Sequence, residues 1–333
     1  MPYFDLPLDT LETYRPQREE PGDFFAFWQE TLDEARHLDR AVTSEPFAAH
    51  LPLVEALDLS FTGFGGQRVH AWWIRPAGTA PTGGWPVVVE FLGYGDGRGT
   101  PLDWLAWPAA GFAVLVMDTR GQGARARRAG STGDEGGSTS PHVEGFLTKG
   151  IADPRDYYYR RVFTDAVLAV DVARSMPGAD RTRVAVQGTS QGGAIALAAA
   201  ALTDDVAAAL VNVPFLCHVR RAIEVTDAAP YAELLQFART RKTEVGQAFE
   251  TLAYFDGMTM AAHASAPSLF SVALMDDVCP PSTVFAAYNH YGGPKEIEVY
   301  PYNQHEGGGE HHDLRQIAWL QRLLGEPART EET

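Results

Sequence analysis

Short runs of apolar residues, separated by stretches with helical periodicity, are the feature that most constrains the fold of this chain. Six runs lack the polar alternation of a half-exposed strand and are typical of strands covered on both faces. These runs are residues 85–92, 112–118, 183–188, 206–213, 267–274 and 296–301. Helical patterns lie at residues 102–110, 160–176, 191–202, 281–291 and 314–324. The alternation predicts an α/β fold with a mostly parallel sheet flanked by helices.

The segment before these runs has a different pattern. Residues 55–62 and 67–75 alternate apolar and polar side chains around a turn at residues 63–66. Alternation over two neighbouring segments predicts an antiparallel hairpin. The predicted sheet is therefore antiparallel where it begins and parallel afterwards. No internal repeat is present, and we predict a single domain over residues 1–333.

Two stretches interrupt this rhythm. Residues 120–155 are rich in Gly, Ser and Asp, and a loop of that length in a compact domain is usually functional or lies at an interface. Residues 217–264 are helical in pattern and lie between two predicted core strands. The second stretch indicates a helical insertion over one edge of the sheet.

Composition narrows the classes of partner. The chain has 27 basic and 43 acidic residues, a net charge of −16, so neither nucleic acid nor an anionic membrane is an expected partner. Residues 1–20 lack the basic start and apolar stretch of a secretory signal, and no segment resembles a membrane span. We therefore expect a cytoplasmic protein. Its two cysteines, Cys217 and Cys279, are too few for a disulfide framework and are expected to be reduced and buried.

The motif with the clearest chemical meaning is Gly-x-Ser-x-Gly at residues 188–192. It follows a predicted strand and precedes an Ala-rich helical stretch. In α/β-hydrolases the nucleophilic Ser occupies a sharp turn between a strand and a helix, where flanking glycines avoid steric clashes. We therefore predict an α/β-hydrolase fold with Ser190 as the nucleophile.

A Ser hydroxyl becomes a strong nucleophile only when a His accepts its proton and a carboxylate orients that His. In this fold the acid follows the nucleophile along the chain, and the His follows the acid. Asp276 and Asp277 both follow a late predicted strand, and Asp276 is preferred because Asp277 also suits a loop or capping role. His305 lies in the loop after the last strand and is predicted to be the base.

Three other histidines follow the predicted acid. His290 lies in a helical pattern before the last strand, whereas His311 and His312 begin the final helix, where a solvated or capping role is more common. Only His305 combines the chain order with a loop after a strand. Acidic residues near these histidines do not have the H-E-x-x-H spacing, so we predict no metal site.

The tetrahedral intermediate of ester hydrolysis also needs two hydrogen-bond donors. In this fold one is the backbone N–H of the residue after the nucleophile, here Gln191, and the other comes from a loop after an early strand. Tyr94 is the candidate for the second donor, with a plain Gly-rich turn as the alternative. The glycines of residues 93–99 match neither a Rossmann nor a P-loop pattern, so no cofactor is predicted.

Several further segments occur in one order along nearly the whole chain. They are Arg-Gly-Gln at 120–122, Gly-Ile-Ala-Asp-Pro at 150–154, Tyr-Tyr-Tyr-Arg-Arg at 157–161, Gly-Thr-Ser-Gln-Gly-Gly at 188–193, Met-Asp-Asp-Val-Cys-Pro-Pro-Ser-Thr at 275–283 and His-Glu at 305–306. In this set the chain resembles the acetyl xylan esterases and cephalosporin C deacetylases, family seven of the carbohydrate esterases. The resemblance implies a site built from the nucleophile Ser190, the acid Asp276, the base His305 and an oxyanion hole of Tyr94 and Gln191.

The resemblance also implies a substrate and an assembly. The family removes acetyl groups from small molecules such as acetylated xylo-oligosaccharides and cephalosporin C. By resemblance the acyl group lies against Tyr94, Phe215, Val278 and Cys279. The family forms hexameric rings, so a homo-oligomer is expected. One departure concerns the leaving group, because the family often has a His where this chain has Leu92.

We therefore predict a serine esterase that hydrolyses O-acetyl esters of small substrates through an acyl-enzyme intermediate. One alternative is a general carboxylesterase that acts on small aryl or alkyl esters, or a related enzyme that cleaves amides. Another is a noncatalytic binding protein with a hydrolase fold. Such a protein would usually lack one member of the triad, and candidates for all three are present here.

Overall fold

A nine-stranded sheet organises the chain in a computed structural model that describes residues 3–135 and 145–325. Its spatial order is β1-β2-β3-β5-β4-β6-β7-β8-β9. The pairs from β1 to β3 and the pair of β3 with β5 are antiparallel, and the remaining pairs are parallel. This confirms the predicted mostly parallel sheet with an antiparallel N-terminal hairpin. The strands are β1 (Val42–Phe47), β2 (Val54–Thr62), β3 (Arg68–Pro76), β4 (Trp85–Phe91), β5 (Ala113–Met117), β6 (Ala179–Thr189), β7 (Ala208–Asn212), β8 (Ser268–Ala273) and β9 (Lys295–Tyr300).

The helices of the described residues lie before, between and after these strands. Short 3₁₀ turns occupy Phe64–Gly66 and Pro101–Trp104. None of the helices in the described ranges is both long and apolar enough to span a bilayer. The helices are α1 (Leu8–Leu11), α2 (Phe24–Arg36), α3 (Ala106–Ala109), α4 (Tyr158–Ser175), α5 (Gln191–Leu202), α6 (Val219–Val225), α7 (Tyr231–Thr240), α8 (Val245–Leu252), α9 (Gly257–His263), α10 (Pro281–His290) and α11 (Gly309–Leu324).

Helices cover the sheet on two faces. On one face α4, α5, α9 and α10 pack together and form the first apolar layer with the strands, including Val87 and Val89 of β4. On the other face Trp107 of α3 and Trp319 of α11 belong, together with Val88 of β4, to the second apolar layer. Because alternate residues of one strand are buried in different layers, the strand needs no polar positions.

Four elements differ from the sequence-based prediction. The strand β1 and the helices α1 and α2 were not predicted, and all six residues of β1 are exposed at the sheet edge. The predicted helix at residues 102–110 is instead a 3₁₀ turn followed by α3. Its physical reason is Pro108, whose ring would clash with the carbonyl four residues earlier in a continuous helix.

The two interrupting stretches also have defined structures. Residues 217–264 contain α6, α7, α8 and α9, between β7 and β8. The described parts of residues 120–155 contain no helix, and residues 136–144 of that predicted loop lie outside the described residues. Residues 217–264 therefore connect two strands of the sheet, whereas residues 120–155 lie between β5 and α4.

Candidate active site

Ser190 lies at the turn between β6 and α5. Its φ of 60° and ψ of −118° are a strained conformation for a residue with a side chain. The turn is possible because a Cβ atom on Gly188 would lie 2.2 Å from the carbonyl of Gly192, and one on Gly192 would lie 2.2 Å from the Phe91 oxygen. The structure thus places Ser190 between a strand and a helix, with both flanking glycines required by close backbone packing.

Three side chains from separate loops form one hydrogen-bonded line. His305 Nε2 lies 2.9 Å from Ser190 Oγ, and His305 Nδ1 lies 2.9 Å from Asp276 Oδ2. Asp276 follows β8, and His305 lies between β9 and α11. The backbone N–H of Met275 donates to the carbonyl of Asn303, which joins these two loops. In this arrangement a proton can move from Ser190 to His305 while the carboxylate faces the opposite ring nitrogen.

The two adjacent carboxylates have different surroundings. Asp276 is fully buried, and its Oδ1 accepts hydrogen bonds from the backbone N–H groups of Val278 at 2.8 Å and Cys279 at 2.9 Å. These contacts direct Oδ2 toward His305. Asp277 is partly exposed, and its backbone carbonyl accepts a hydrogen bond from the hydroxyl of Thr226. Asp276, and not Asp277, therefore contacts the imidazole.

The backbone N–H groups predicted for the oxyanion hole belong to Gln191, directly after Ser190, and to Tyr94, in the loop after β4. Gln191 is the first residue of α5, so its N–H has no partner within the helix and lies at the positive end of the helix dipole. Among the described residues, neither this N–H nor that of Tyr94 has a hydrogen-bond acceptor. The side chain of Gln191 donates to the carbonyls of Leu92 at 3.2 Å and Gly93 at 3.3 Å. It thereby holds the loop of Tyr94 against the turn at Ser190.

A buried set of polar side chains supports the same loop. Gln122 Oε1 accepts from the N–H of Gly95 at 2.6 Å, and its Nε2 donates to Gln191 Oε1 at 2.8 Å and to the Tyr158 hydroxyl at 2.9 Å. The Tyr159 hydroxyl also donates to Gln191 Oε1, at 2.9 Å. Gln122 has no role predicted from the sequence, although a Gln in a Gly-rich loop directly after a core strand is the pattern that could have identified it.

The residues predicted to surround the acyl group lie at two depths. Tyr94 and Val278 line a cavity of about 600 Å³ that also exposes Ser190. Phe215 and Cys279 are fully buried, and the ring centroids of Phe215 and Tyr94 are 6.2 Å apart. Burial raises the pKa of the Cys279 thiol well above its ordinary value. The cavity wall is therefore backed by close-packed apolar side chains and an un-ionised thiol.

One group of side chains in the described residues could hold a metal ion by position alone. Asp276, Cys279 and His305 have potential ligand atoms within 4.8 Å of one another. Metals bind the thiolate form of cysteine, whereas the buried Cys279 favours the thiol. Asp276 and His305 are already bonded to each other. The chemistry of these donors therefore favours proton transfer over metal binding.

The expectation that His312 has a solvated or capping role is wrong. This residue is 2% exposed, with Nδ1 2.9 Å from the Tyr300 hydroxyl and Nε2 3.0 Å from Asn212 Oδ1. The backbone carbonyl of Asn212 accepts a hydrogen bond from the N–H of Ser190 at 2.9 Å. His312 is thus linked through Asn212 to the turn at Ser190. The packing of α11 on the sheet buries His312, and the local sequence pattern does not reveal this packing.

The burial of His312 predicts a dependence of stability on pH. Desolvation lowers its pKa to about 4, whereas an unfolded His titrates near about 6.5, so the unfolded state binds a proton first as the pH falls. The protein should therefore lose about 2 kcal/mol of stability from this group between about pH 7 and about pH 5. Urea unfolding of His312→Gln should show a correspondingly smaller decline between these two pH values.

The exposed neighbour His311 provides the matched control. The stability of His311→Gln toward urea should decrease between these pH values as much as that of the parent protein does. An equal decline for the parent and both variants would contradict the neutral, buried state of His312.

Known proteins with similar sequences or structures include several esterases. The family model described as acetyl xylan esterase (AXE1) matches residues 1–323. An acetyl esterase of Xylanibacter ruminicola is 28% identical over 314 residues, which are 94% of this chain and 70% of that protein. The solved acetyl xylan esterase of a Paenibacillus species is 36% identical, with a TM-score of 0.89 over 96% of this chain and 100% of its own. That of a Thermoanaerobacterium species is 35% identical, with a TM-score of 0.86 over 96% and 99%.

Proposed function

This chain belongs to the acetyl xylan esterase family of carboxylic ester hydrolases with the α/β-hydrolase fold, and we propose that Ser190, His305 and Asp276 are its catalytic triad. The family confirms the predicted serine esterase acting on acetyl esters and favours it over a general carboxylesterase. The observation that carries the triad proposal is the hydrogen-bonded line from Asp276 through His305 to Ser190, with 2.9 Å at each step.

The first half of the reaction transfers the acetyl group to the enzyme. Ser190 Oγ attacks the ester carbonyl while His305 Nε2 accepts the hydroxyl proton. The N–H groups of Tyr94 and Gln191 donate to the oxyanion of the tetrahedral intermediate. The bond to the alcohol oxygen then breaks, and His305 gives its proton to the departing alcohol. The carboxylate of Asp276 stabilises the imidazolium that exists between these two transfers.

The second half restores the enzyme. Water enters the place left by the alcohol, and His305 accepts a proton from it as its oxygen attacks the acetyl carbonyl. The same two N–H groups stabilise the second oxyanion. Collapse of this intermediate releases acetate, and His305 returns the proton to Ser190 Oγ. Support for these steps comes from Ser190, His305 and Tyr94, which line one cavity, and from the hydrogen bond of Asp276 to His305.

We propose that the cavity wall of Tyr94 and Val278, backed by Phe215 and Cys279, restricts the acyl group. An acetyl group fits in the space beside this wall, whereas longer acyl chains clash with its close-packed side chains. Each misfit costs on the order of 1–3 kcal/mol. For aryl esters of increasing acyl length, kcat/KM should therefore fall steeply beyond propionyl. Val278→Ala and Phe215→Ala should flatten this decline. Equal or better turnover of octanoyl than of acetyl esters by the parent protein would contradict a small acyl pocket.

We propose acetylated xylo-oligosaccharides as the substrate class, with cephalosporin C as a related substrate. Support comes from the two solved relatives, which are named acetyl xylan esterases, and from the cavity of about 600 Å³, which admits a small sugar ester. Acetate release from acetylated xylobiose, cephalosporin C and simple aryl acetates tests this proposal. The sugar ester should have the highest kcat/KM. Preference for the aryl acetate, with no release from the sugar, would indicate a general carboxylesterase.

We propose that the chain forms a homo-oligomer, and by family resemblance a hexamer. The supporting feature is the edge strand β1, whose six residues are all exposed and include Val42 and Phe47. Edge strands with exposed apolar side chains are ready sites for association. Size-exclusion chromatography with light scattering should give the mass of a hexamer, and the mass of one chain would contradict assembly.

We propose a cytoplasmic location. The support is that Cys217 and Cys279 are both buried and unpaired, as is usual for proteins of reducing compartments. Fractionation of native cells should recover the esterase with cytoplasmic markers. Recovery in the culture medium would contradict this location.

A further inference from the structure

The cavity at Ser190 continues between α3 and α11, where its wall carries a buried carboxyl group. Glu90 of β4 is 9% exposed and lines this part of the cavity. The indole N–H of Trp107 donates to Glu90 Oε2 at 3.3 Å. Gln187 of β6 is paired with Glu90 in the parallel register. With its amide nitrogen turned toward the carboxyl group, Gln187 donates to both Glu90 oxygens.

No Lys or Arg of the described residues forms an ion pair with Glu90. The cation that lowers its pKa, Arg128, is engaged with Asp96. Desolvation outweighs these effects and raises the pKa of Glu90 to about 8, with a further contribution from the carboxylate of Asp313. Asp313 lies on α11 and lines the same part of the cavity. A buried carboxyl group without a cation costs stability, so its place in an active-site cavity indicates a function.

This part of the cavity lies on the opposite side of Ser190 from the cavity wall of Tyr94 and Val278, hereafter the acyl wall. Tyr94 and Val278 of the acyl wall pack on the first apolar layer, whereas Trp107 and Leu92 belong to the second. Glu90 precedes Leu92 by two residues and so points to the same face of the sheet. With the acyl group against Tyr94 and Val278, the part of the cavity that remains for the alcohol is therefore the part lined by Glu90.

The chemistry of this region suits a ligand with several hydroxyl groups. An amide group both donates and accepts hydrogen bonds, and a carboxyl group does so when it is protonated. Indole rings provide apolar surface beside these groups. Trp104 and Trp107 line the cavity with Glu90 and Gln187. Leu92 stands where the family often has a His and offers no hydrogen bond, so Glu90 supplies a polar contact nearby on the same face.

We propose that Glu90, together with Gln187 and Asp313, forms a subsite that hydrogen-bonds the hydroxyl groups of the alcohol half of the substrate. This inference rests on the proposed deacetylation of sugars and specifies which residues select the sugar. An aryl or simple alkyl ester has no hydroxyls to pair with these groups, so the subsite favours polyhydroxylated alcohols.

The test compares Glu90→Leu with Glu296→Leu. Glu296 is a matched control because its Oε1 also accepts a hydrogen bond from an indole, that of Trp319, but it lies outside this cavity. With monoacetylated methyl xyloside as substrate, Glu90→Leu should lower kcat/KM by about tenfold or more. Its kcat/KM for aryl acetate should stay within about twofold of the parent value. Glu90→Gln should retain most activity on the sugar ester, and Glu296→Leu should match the parent on both substrates.

A second measurement does not require turnover of a sugar ester. Methyl xyloside without an acetyl group should inhibit aryl acetate hydrolysis competitively, and Glu90→Leu should raise its inhibition constant by about tenfold. Asp313→Ala, a change at an exposed residue, should also raise this inhibition constant. It serves as the second variant if Glu90→Leu does not fold.

The outcomes separate this inference from the proposed function. If the sugar ester is not hydrolysed but methyl xyloside inhibits through Glu90, the subsite is supported and sugar deacetylation is contradicted. If the sugar ester is hydrolysed equally by the parent and Glu90→Leu, the subsite is overturned while the proposed function stands. Equal losses on sugar and aryl esters would also overturn the subsite, because they indicate a structural role for Glu90.

Discussion

Ser190→Ala is expected to lower kcat for an aryl acetate by about a millionfold, to the slow rate that binding and the oxyanion hole alone supply. The substitution removes the oxygen that we propose forms the acyl-enzyme. Within the described residues the His305 side chain hydrogen-bonds only Ser190 and Asp276, so no other side-chain nucleophile takes the place of Ser190. The change removes one atom, and the backbone hydrogen bond from Ser190 N–H to Asn212 remains possible. The fold should therefore persist.

Initial rates of aryl acetate hydrolysis measure this effect, with the midpoint of thermal unfolding recorded on the same samples. Ser175→Ala is the matched control, because Ser175 ends α4 and its hydroxyl donates to the carbonyl of Val172. This variant should retain parental activity. More than a few per cent of parental activity in a folded Ser190→Ala protein would rule out Ser190 as the nucleophile.

Asp276→Asn should lower kcat by about 10⁴-fold. The structure explains the size of this effect through the tautomer of His305. The N–H groups of Val278 and Cys279 require an oxygen at one position of residue 276, so the Asn amide nitrogen would face His305 Nδ1. His305 Nδ1 would then accept a hydrogen bond from this amide, and the ring proton would move to Nε2. With a proton on Nε2, His305 cannot accept one from Ser190.

The adjacent carboxylate provides the matched control for this prediction. Asp277→Asn leaves the contacts of His305 intact, so its kcat should stay within about twofold of the parent value. Aryl acetate hydrolysis at saturating substrate measures both variants. A larger loss for Asp277→Asn than for Asp276→Asn would exchange the roles of the two residues.

The sequence was most informative where function depends on order along the chain. The positions of Ser190, of an acid after a late strand and of His305 after the last strand follow from the alternation of strands and helices. The choice between Asp276 and Asp277 was less certain from the residues alone, because both belong to one loop. What distinguishes them is the local turn that brings two backbone N–H groups to Asp276 Oδ1.

Features that depend on contacts between distant segments could not be predicted from local patterns. The contact of Glu90 with Gln187 requires the register between β4 and β6, and the burial of His312 requires the packing of α11. The strand β1 has Thr, Ser, Glu and Pro between Val42 and Phe47, so it lacks the usual strand pattern. In α2, by contrast, the buried positions recur at helical spacing, so this helix was predictable. They are Phe24, Phe27, Trp28, Thr31, Leu32 and Ala35.

The central claim is that this esterase acts through an acetyl group carried by Ser190, and that intermediate can be measured. Activated aryl acetates acylate serine esterases rapidly, so the intermediate accumulates before it is hydrolysed. After rapid mixing with aryl acetate and quenching in acid, the intact mass of the parent protein should increase by one acetyl group. Peptide mapping should place that group on Ser190, and Ser190→Ala should carry none. Acetate release by the parent protein with no acetyl group on Ser190, or with one on another residue, would contradict the claim.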